Sequence, residues 1–294
     1  MKKTKKNKIA VIGGAGFLGS YIVKELIKKK YKVKIIDKIK IDIKNSYVCD
    51  IMDYNKLKRL ISDCEYVFNF AGIADIEESN NNPLETINAN IIGSTNIFDI
   101  CAKLKVKRIF FASTLYVYSS SGGFYKTTKQ SLENILETYS KNFNLKYTVL
   151  RYGSVFGPSS QKWNGIYNYL NQAINNNKII CNGNGEEIRE YIHVKDAAKL
   201  TIKCLNKEYE NKYLTISGVN SMKARDLFLM ISEILNKKVK IVYKNSLKNK
   251  EHYKITPYNY IPKRSLKIVP NEFIDLGEGL LEVIEKDFNK NNWY

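Results

Sequence analysis

Histidine is nearly absent from this chain of 294 residues, occurring only as His193 and His252. Two are too few for a histidine-rich metal site. Cysteine is sparse as well: Cys49, Cys64, Cys101, Cys181 and Cys204. Their number is odd and no two have the CxxC spacing. This excludes a disulfide scaffold or a zinc framework, and buried free thiols are expected. No apolar run approaches the roughly 18 residues of a membrane span. The basic start, Met1 to Lys8, leads into only four apolar residues before glycines begin, too short a stretch for a signal peptide. The expectation is a cytoplasmic protein with no membrane partner. Arginine is scarce too, with six against 42 lysines. The net charge of +19 therefore reads as lysine bias over the whole surface. No RNP, helix-turn-helix or zinc-finger signature accompanies it, so no nucleic-acid partner is expected. The charge still favours approach of an anionic small molecule.

What is present is alternation. Lys8 to Gly13 reads as a strand, and Phe17 to Lys29 as a helix with Leu18, Ile22, Leu26 and Ile27 on one face. Strand readings follow at 31–37, 47–51, 66–71, 107–113 and 146–151. Helical readings fall at 54–61, 83–103 and 123–142. Runs such as Tyr66-Val-Phe-Asn-Phe-Ala71 suit strands buried on both faces. Strand–helix alternation implies parallel strands with crossover helices. The expected fold is α/β: a Rossmann-type doubly wound parallel sheet over residues 1–156. A smaller substrate-binding region follows over 157–294, with about 189–205 returning to the first domain. No long linker and no repeat is visible.

The strongest local motif is Gly13-Gly14-Ala15-Gly16-Phe17-Leu18-Gly19, after one strand and opening one helix. Gly13 permits the tight turn, Gly16 lets the backbone approach a pyrophosphate, and Gly19 lets helix and sheet pack closely. Asp37 ends the second strand, 18 residues beyond Gly19. A carboxylate there binds ribose hydroxyls and repels a 2′-phosphate, which favours NAD over NADP. Tyr125 and Lys129, four apart in a predicted helix, share one face. A lysine beside a phenol stabilises the phenolate. The pair follows a predicted strand that ends at Ser113, next to Thr114, and so falls at the carboxyl edge where ligands bind.

Further segments carry a resemblance: Cys49-Asp-Ile51, Asn69-Phe-Ala-Gly72, Asn90-Ile-Ile-Gly93-Ser-Thr95, Leu150-Arg-Tyr-Gly-Ser-Val-Phe-Gly-Pro158 and Gly183 to Val194. With the glycine loop, Asp37, Thr114 and Tyr125…Lys129, they make the chain similar to the extended short-chain dehydrogenase/reductase family. More narrowly, it resembles the NAD-dependent epimerase/dehydratase group acting on nucleotide sugars. The resemblance implies a catalytic set of Thr114, Tyr125 and Lys129. It implies cofactor contacts from Gly13, Gly16, Phe17, Leu18, Gly19 and Asp37. Asp50 and Ile51 would flank adenine, Ala71 and Gly72 would line the dinucleotide, and Asn90 and Tyr152 would lie toward nicotinamide. Tyr125 and Lys129 would also touch the cofactor. Ser154, Arg189 and Thr114 would bind a nucleotide-diphosphate sugar, with Arg189 gripping the diphosphate. His193 is read as structural. A homodimer through the helices at 83–103 and 123–142 is a further implication.

Four departures from the family pattern bear on function. The segment from Thr114 to Tyr125 is short and lacks the proline-containing stretch most members carry. Ala74 stands where some epimerases place a lysine, and Ser154 where asparagine is frequent. Leu115 and Tyr116 follow Thr114 where 4,6-dehydratases carry an acid to protonate a departing hydroxyl. The expected activity is therefore epimerisation through transient oxidation at C4. A net sugar 4-dehydrogenase or 4-keto-sugar reductase shares every motif, and a dinucleotide-binding protein without turnover belongs to another class. His252 to Arg264 is expected to help choose the sugar.

Overall fold

Strands apolar on both faces must be covered on both faces. A computed structural model shows how the chain does so; it describes residues 8–219 and 221–244. The chain opens with β1 (Lys8–Ile12), α1 (Phe17–Lys28), β2 (Lys32–Asp37) and β3 (Ser46–Val48). Next come α2 (Tyr54–Ile61), β4 (Tyr66–Asn69), α3 (Ile76–Asn81) and α4 (Pro83–Thr86). A π-helical turn, Ile87–Ile92, carries α4 into α5 (Gly93–Lys103). Then follow β5 (Arg108–Thr114), a 3₁₀ turn (Leu115–Tyr118), α6 (Gly123–Phe143), β6 (Tyr147–Tyr152) and β7 (Ser154–Phe156). The rest comprises α7 (Gly165–Asn176), β8 (Lys178–Asn182), β9 (Ile188–His193), α8 (Val194–Lys203), β10 (Lys212–Ile216), β11 (Ser221–Lys223), α9 (Ala224–Ile234) and β12 (Lys240–Lys244).

Seven strands form one wholly parallel sheet in the order β10-β6-β5-β4-β1-β2-β3. The chain winds outward from β1 to β3, then crosses over and winds the other way from β4. The reversal leaves a crevice at the carboxyl ends of β1 and β4, the usual place for a ligand in such sheets. Alternate side chains go to opposite faces. Ile9 and Val11 pack with Ile22 and Leu26 of α1 and with Ala197 and Ile202 of α8. Ala10 and Ile12 pack with Leu57 of α2, Ile97 and Phe98 of α5, and Leu132 and Leu136 of α6. Each such side chain fully buried stabilises the fold by about 1.5–3 kcal/mol.

Beyond residue 157 the chain comes back to the main sheet twice. α8 lies against α1, and β10 pairs in parallel with β6 as an edge strand. A third core gathers Ala173, Ile179, Phe228 and Ile231 from α7, β8 and α9. Two small sheets, β11-β9-β7 and β12-β8, frame it. Among the described residues no helix is long and apolar enough to cross a membrane. All five cysteines are free and buried. Residues 252–264, expected to help choose the sugar, lie outside the described residues.

The helix read as continuous over 83–103 departs from α geometry in its middle. There the Asn90 side chain turns inward, accepting from Ile73 N at 2.7 Å and donating to Ile73 O at 3.0 Å. Gly93 meets Ile51 so closely that a Cβ would lie 2.4 Å from its Cδ1. A π turn is the usual way a helix admits an extra residue to meet such demands.

Candidate active site

Twin requirements shape the loop after β1: the chain must reverse tightly, and it must leave N–H groups for an anion. Gly13 has φ +77°, and a Cβ on it would lie 2.7 Å from Ala71 N. On Gly19 a Cβ would lie 2.1 Å from Gly13 O, so helix and loop touch through bare backbone. The α1 N-cap, Gly16, supplies no side-chain cap. The first-turn N–H groups of α1 have no capping side chain there and suit a phosphate. Asp37, at the end of β2, accepts from Ala15 N at 2.9 Å and from Ile39 N at 3.2 Å. It thereby stiffens the loop, and each carboxylate oxygen retains a second lone pair for a hydroxyl. These residues fit a dinucleotide.

The loop opens into a cavity of about 2050 Å³ at the carboxyl edge of the sheet. Gly13, Gly16, Phe17, Leu18, Gly19 and Asp37 line one end. Asp50 and Ile51 continue that wall. Asp50 accepts from Met52 N at 2.8 Å, and Asn96 donates to Ile51 O at 3.1 Å, so the turn is fixed. Ala71 and Gly72 form the floor. Asn69 sets that floor by accepting from Ala71 N at 3.1 Å while donating to Ser94 at 3.1 Å.

Thr114, Tyr125, Lys129, Tyr152, Ser154 and Arg189 line the same cavity. Thr114 ends β5, and its Oγ1 caps the 3₁₀ turn by accepting from Tyr116 N at 3.2 Å. Tyr125 stands edge-on to Tyr116, ring centroids 6.3 Å apart. Lys129 is 6% exposed, and its ammonium donates to Ala112 O at 2.8 Å. Burial pulls its pKa down to about 8, against the opposing pull of the Glu133 carboxylate. Tyr152 is buried, and its hydroxyl shares a 2.6 Å hydrogen bond with Thr201 of α8, so it meets the cavity other than through its phenol oxygen. Burial also raises that phenol's pKa.

Asn90 differs from the rest. It is buried and is not part of the cavity wall. Its side chain binds the Ile73 backbone and donates to Thr128 Oγ1 at 3.1 Å. It therefore holds the wall in place from behind. His193 caps α8, its Nδ1 accepting from Lys195 N at 3.3 Å.

Sequence reasoning missed a buried polar group behind Lys129. Glu133, one turn further along α6, takes a 2.5 Å hydrogen bond from Ser113 and two from Arg151, Nε at 3.0 Å and NH2 at 2.6 Å. Arg151 also donates to the Tyr118 hydroxyl, and its guanidinium lies between the rings of Tyr118 and Tyr213. The group ties β5, β6, α6 and the 3₁₀ turn together directly below the site. Its one signal in the sequence is an arginine inside an apolar strand, four positions after Leu150's run begins at Tyr147.

Comparison with known proteins gives a consistent picture. The sequence profile of the NAD dependent epimerase/dehydratase family matches residues 9–216. A UDP-glucose 4-epimerase of Mycoplasma genitalium is 29% identical over 261 residues, 72% of this chain and 76% of its own. The solved UDP-glucose 4-epimerase of Thermotoga maritima, with UDP-glucose, has TM-score 0.78 and 28% identity over 86% of this chain and 90% of that one. The UDP-N-acetylglucosamine 4-epimerase of Methanobrevibacter ruminantium has TM-score 0.78 and 27% identity over 87% and 90%.

Proposed function

Because this chain belongs to the NAD-dependent epimerase/dehydratase family, of the extended short-chain dehydrogenase/reductase type, we propose that it inverts C4 of a nucleotide-diphosphate sugar. One observation carries the proposal. Thr114, Tyr125 and Lys129 line the same cavity as the glycine loop and Asp37. When bound, NAD supplies a reversible acceptor for the C4 hydrogen and its electron pair. Gly13, Gly16, Phe17, Leu18 and Gly19 would hold its pyrophosphate, and Asp37 its adenosine ribose. Asp50 and Ile51 would flank adenine, while Ala71, Gly72 and Tyr152 would form the wall toward nicotinamide.

The chain's own groups handle the proton. Tyr125, held as phenolate by the ammonium of Lys129, accepts it from the C4 hydroxyl and becomes the neutral phenol. Thr114 donates to the C4 oxygen as charge develops there. Arg189 and Ser154 anchor the nucleotide diphosphate, so the sugar ring alone turns over before Tyr125 returns the proton. A cavity of about 2050 Å³ leaves room for that turn. Directly after Thr114 there is no acid to serve dehydration: Leu115 is fully buried there, and Tyr116 follows it. We further propose a cytoplasmic homodimer joined through α5 and α6, where Ile92 and Phe143 lie exposed near or on the two helices.

The test is incubation with UDP-glucose, UDP-galactose, UDP-N-acetylglucosamine and their CDP, GDP and dTDP counterparts, without added reductant. Interconversion of C4 epimers with no build-up of NADH absorbance is the expected result. Stoichiometric NADH would make the protein a net dehydrogenase instead.

A further inference from the structure

The helix that carries Tyr125 begins on glycine. Its N-cap, Gly122, has φ +105° and offers no side chain, so α6 lacks a side-chain cap of its own. The first N–H groups of a helix need acceptors, and a cap ordinarily serves the second or third helical residue. Here those residues are Phe124 and Tyr125. Both N–H groups are served from α3: Asn80 Oδ1 accepts from Phe124 N at 3.1 Å, and Ser79 Oγ accepts from Tyr125 N at 3.2 Å. Ser79 is fully buried, and its hydroxyl donates to Ile76 O at 2.8 Å, which turns its lone pairs toward α6. The approach is close. Gly123 has φ +50°, and a Cβ there would lie 2.0 Å from Asn80 Oδ1.

The carbonyl of Tyr125 is held as well. Thr128 Oγ1 donates to Tyr125 O at 2.9 Å while accepting from Asn90. Asn90 also binds Ile73, and Asp75 caps the start of α3 by accepting from Glu77 N at 2.9 Å. Ile73 and Asp75 both line the cavity. The wall and the tyrosine's backbone are thus joined through two short polar paths, one by Asn90 and one by α3.

We infer that Ser79 and Asn80 are positioning residues for Tyr125, forming a cap borrowed from α3 that fixes the start of α6 against the cavity wall. The inference rests on Tyr125 being the base. Misplacement of a reacting group by about an ångström lowers the rate steeply, so loss of the cap acts on kcat and leaves binding intact.

The experiment compares Asn80→Leu, Ser79→Ala and Asn80→Asp with Tyr125→Phe, in protein purified with its NAD and assayed on UDP-glucose and UDP-N-acetylglucosamine. Asn80→Leu lowers kcat on the order of tenfold, with KM and bound NAD unchanged. Asn80→Asp restores the rate, because a carboxylate oxygen accepts the same bond and is favoured at a helix N-terminus. Amide hydrogen exchange on the wild-type protein gives a readout independent of any variant's folding: Phe124 and Tyr125 N–H are as protected as the middle of α6. Exchange of those two amides at loop rates overturns the inference. So does unchanged kcat in both Asn80→Leu and Ser79→Ala while Tyr125→Phe is inactive. Full turnover by Tyr125→Phe removes the base assignment, and the positioning role falls with it.

Discussion

Lys129 is a cation held where burial disfavours cations. Around it are Glu133 on its own helix, the Ala112 carbonyl and the Phe111 ring on β5, and, through Glu133, Arg151 on β6, with Tyr125 one turn earlier in α6. Its pKa near 8 sets a window. Below that pH the ammonium supports the Tyr125 phenolate; above it the lysine is neutral and the support is gone. The pH profile of kcat therefore falls on its alkaline side through about pH 8. The Glu133 charge favours the ammonium, so Glu133→Gln shifts that limb to lower pH. The same substitution leaves Arg151 half-buried without its counter-charge and destabilises the protein by about 3 kcal/mol in urea unfolding. Tyr125→Phe, which removes only the proton acceptor, lowers kcat by roughly 10³-fold and leaves NAD binding unchanged, as turnover and cofactor titration will measure. The tyrosine–lysine spacing was legible because four residues are about one helical turn. Glu133 and Arg151 were not, because their meaning depends on β5, β6 and α6 becoming neighbours.

At the scale of elements, the glycine loop is the clearest case of sequence dictating form. Gly19→Ala places a methyl 2.1 Å from Gly13 O, and backbone cannot swing aside as a flexible side chain does. The loop must deform, and affinity for NAD falls at least about tenfold in calorimetric titration, a loss of roughly 1.4 kcal/mol. Strands such as β1 and β4 were readable because they are apolar on both faces. α3 was not: Ile76-Glu-Glu-Ser-Asn-Asn81 is a short polar run with little periodicity. Its signals are the cap Asp75 and acids in the first turn, both weak alone. The π turn was equally hidden, since it answers to hydrogen bonds from Asn90 to Ile73, 17 positions away. β10 and the small sheets of β7, β8, β9, β11 and β12 are short and partly exposed. Tertiary pairing rather than pattern brings them together.

For the molecule as a whole, positive charge is abundant, yet among the described residues it does not dominate the cavity lining. Among the described lining residues are Asp37, Asp50, Asp75, Glu77, Glu85 and Glu187 against Lys38, Lys129 and Arg189. The net charge of +19 belongs to the chain as a whole and acts at a distance. For an anionic nucleotide sugar this steers encounter, so kcat/KM declines as ionic strength rises while kcat holds steady. The proposed dimer is checked by sedimentation: twice the 34.0 kDa of the chain is expected, and Ile92→Glu yields the single-chain mass.

Transient oxidation at C4 is tested most directly with a nucleotide sugar deuterated at that carbon, the substrate being whichever the epimer assay identifies. The label leaves and returns on one bound cofactor, so the epimeric product carries deuterium at C4, none appears in solvent, and the rate shows a primary isotope effect. Product with hydrogen at C4, or inversion with no isotope effect and a solvent label at C3 or C5, would contradict it.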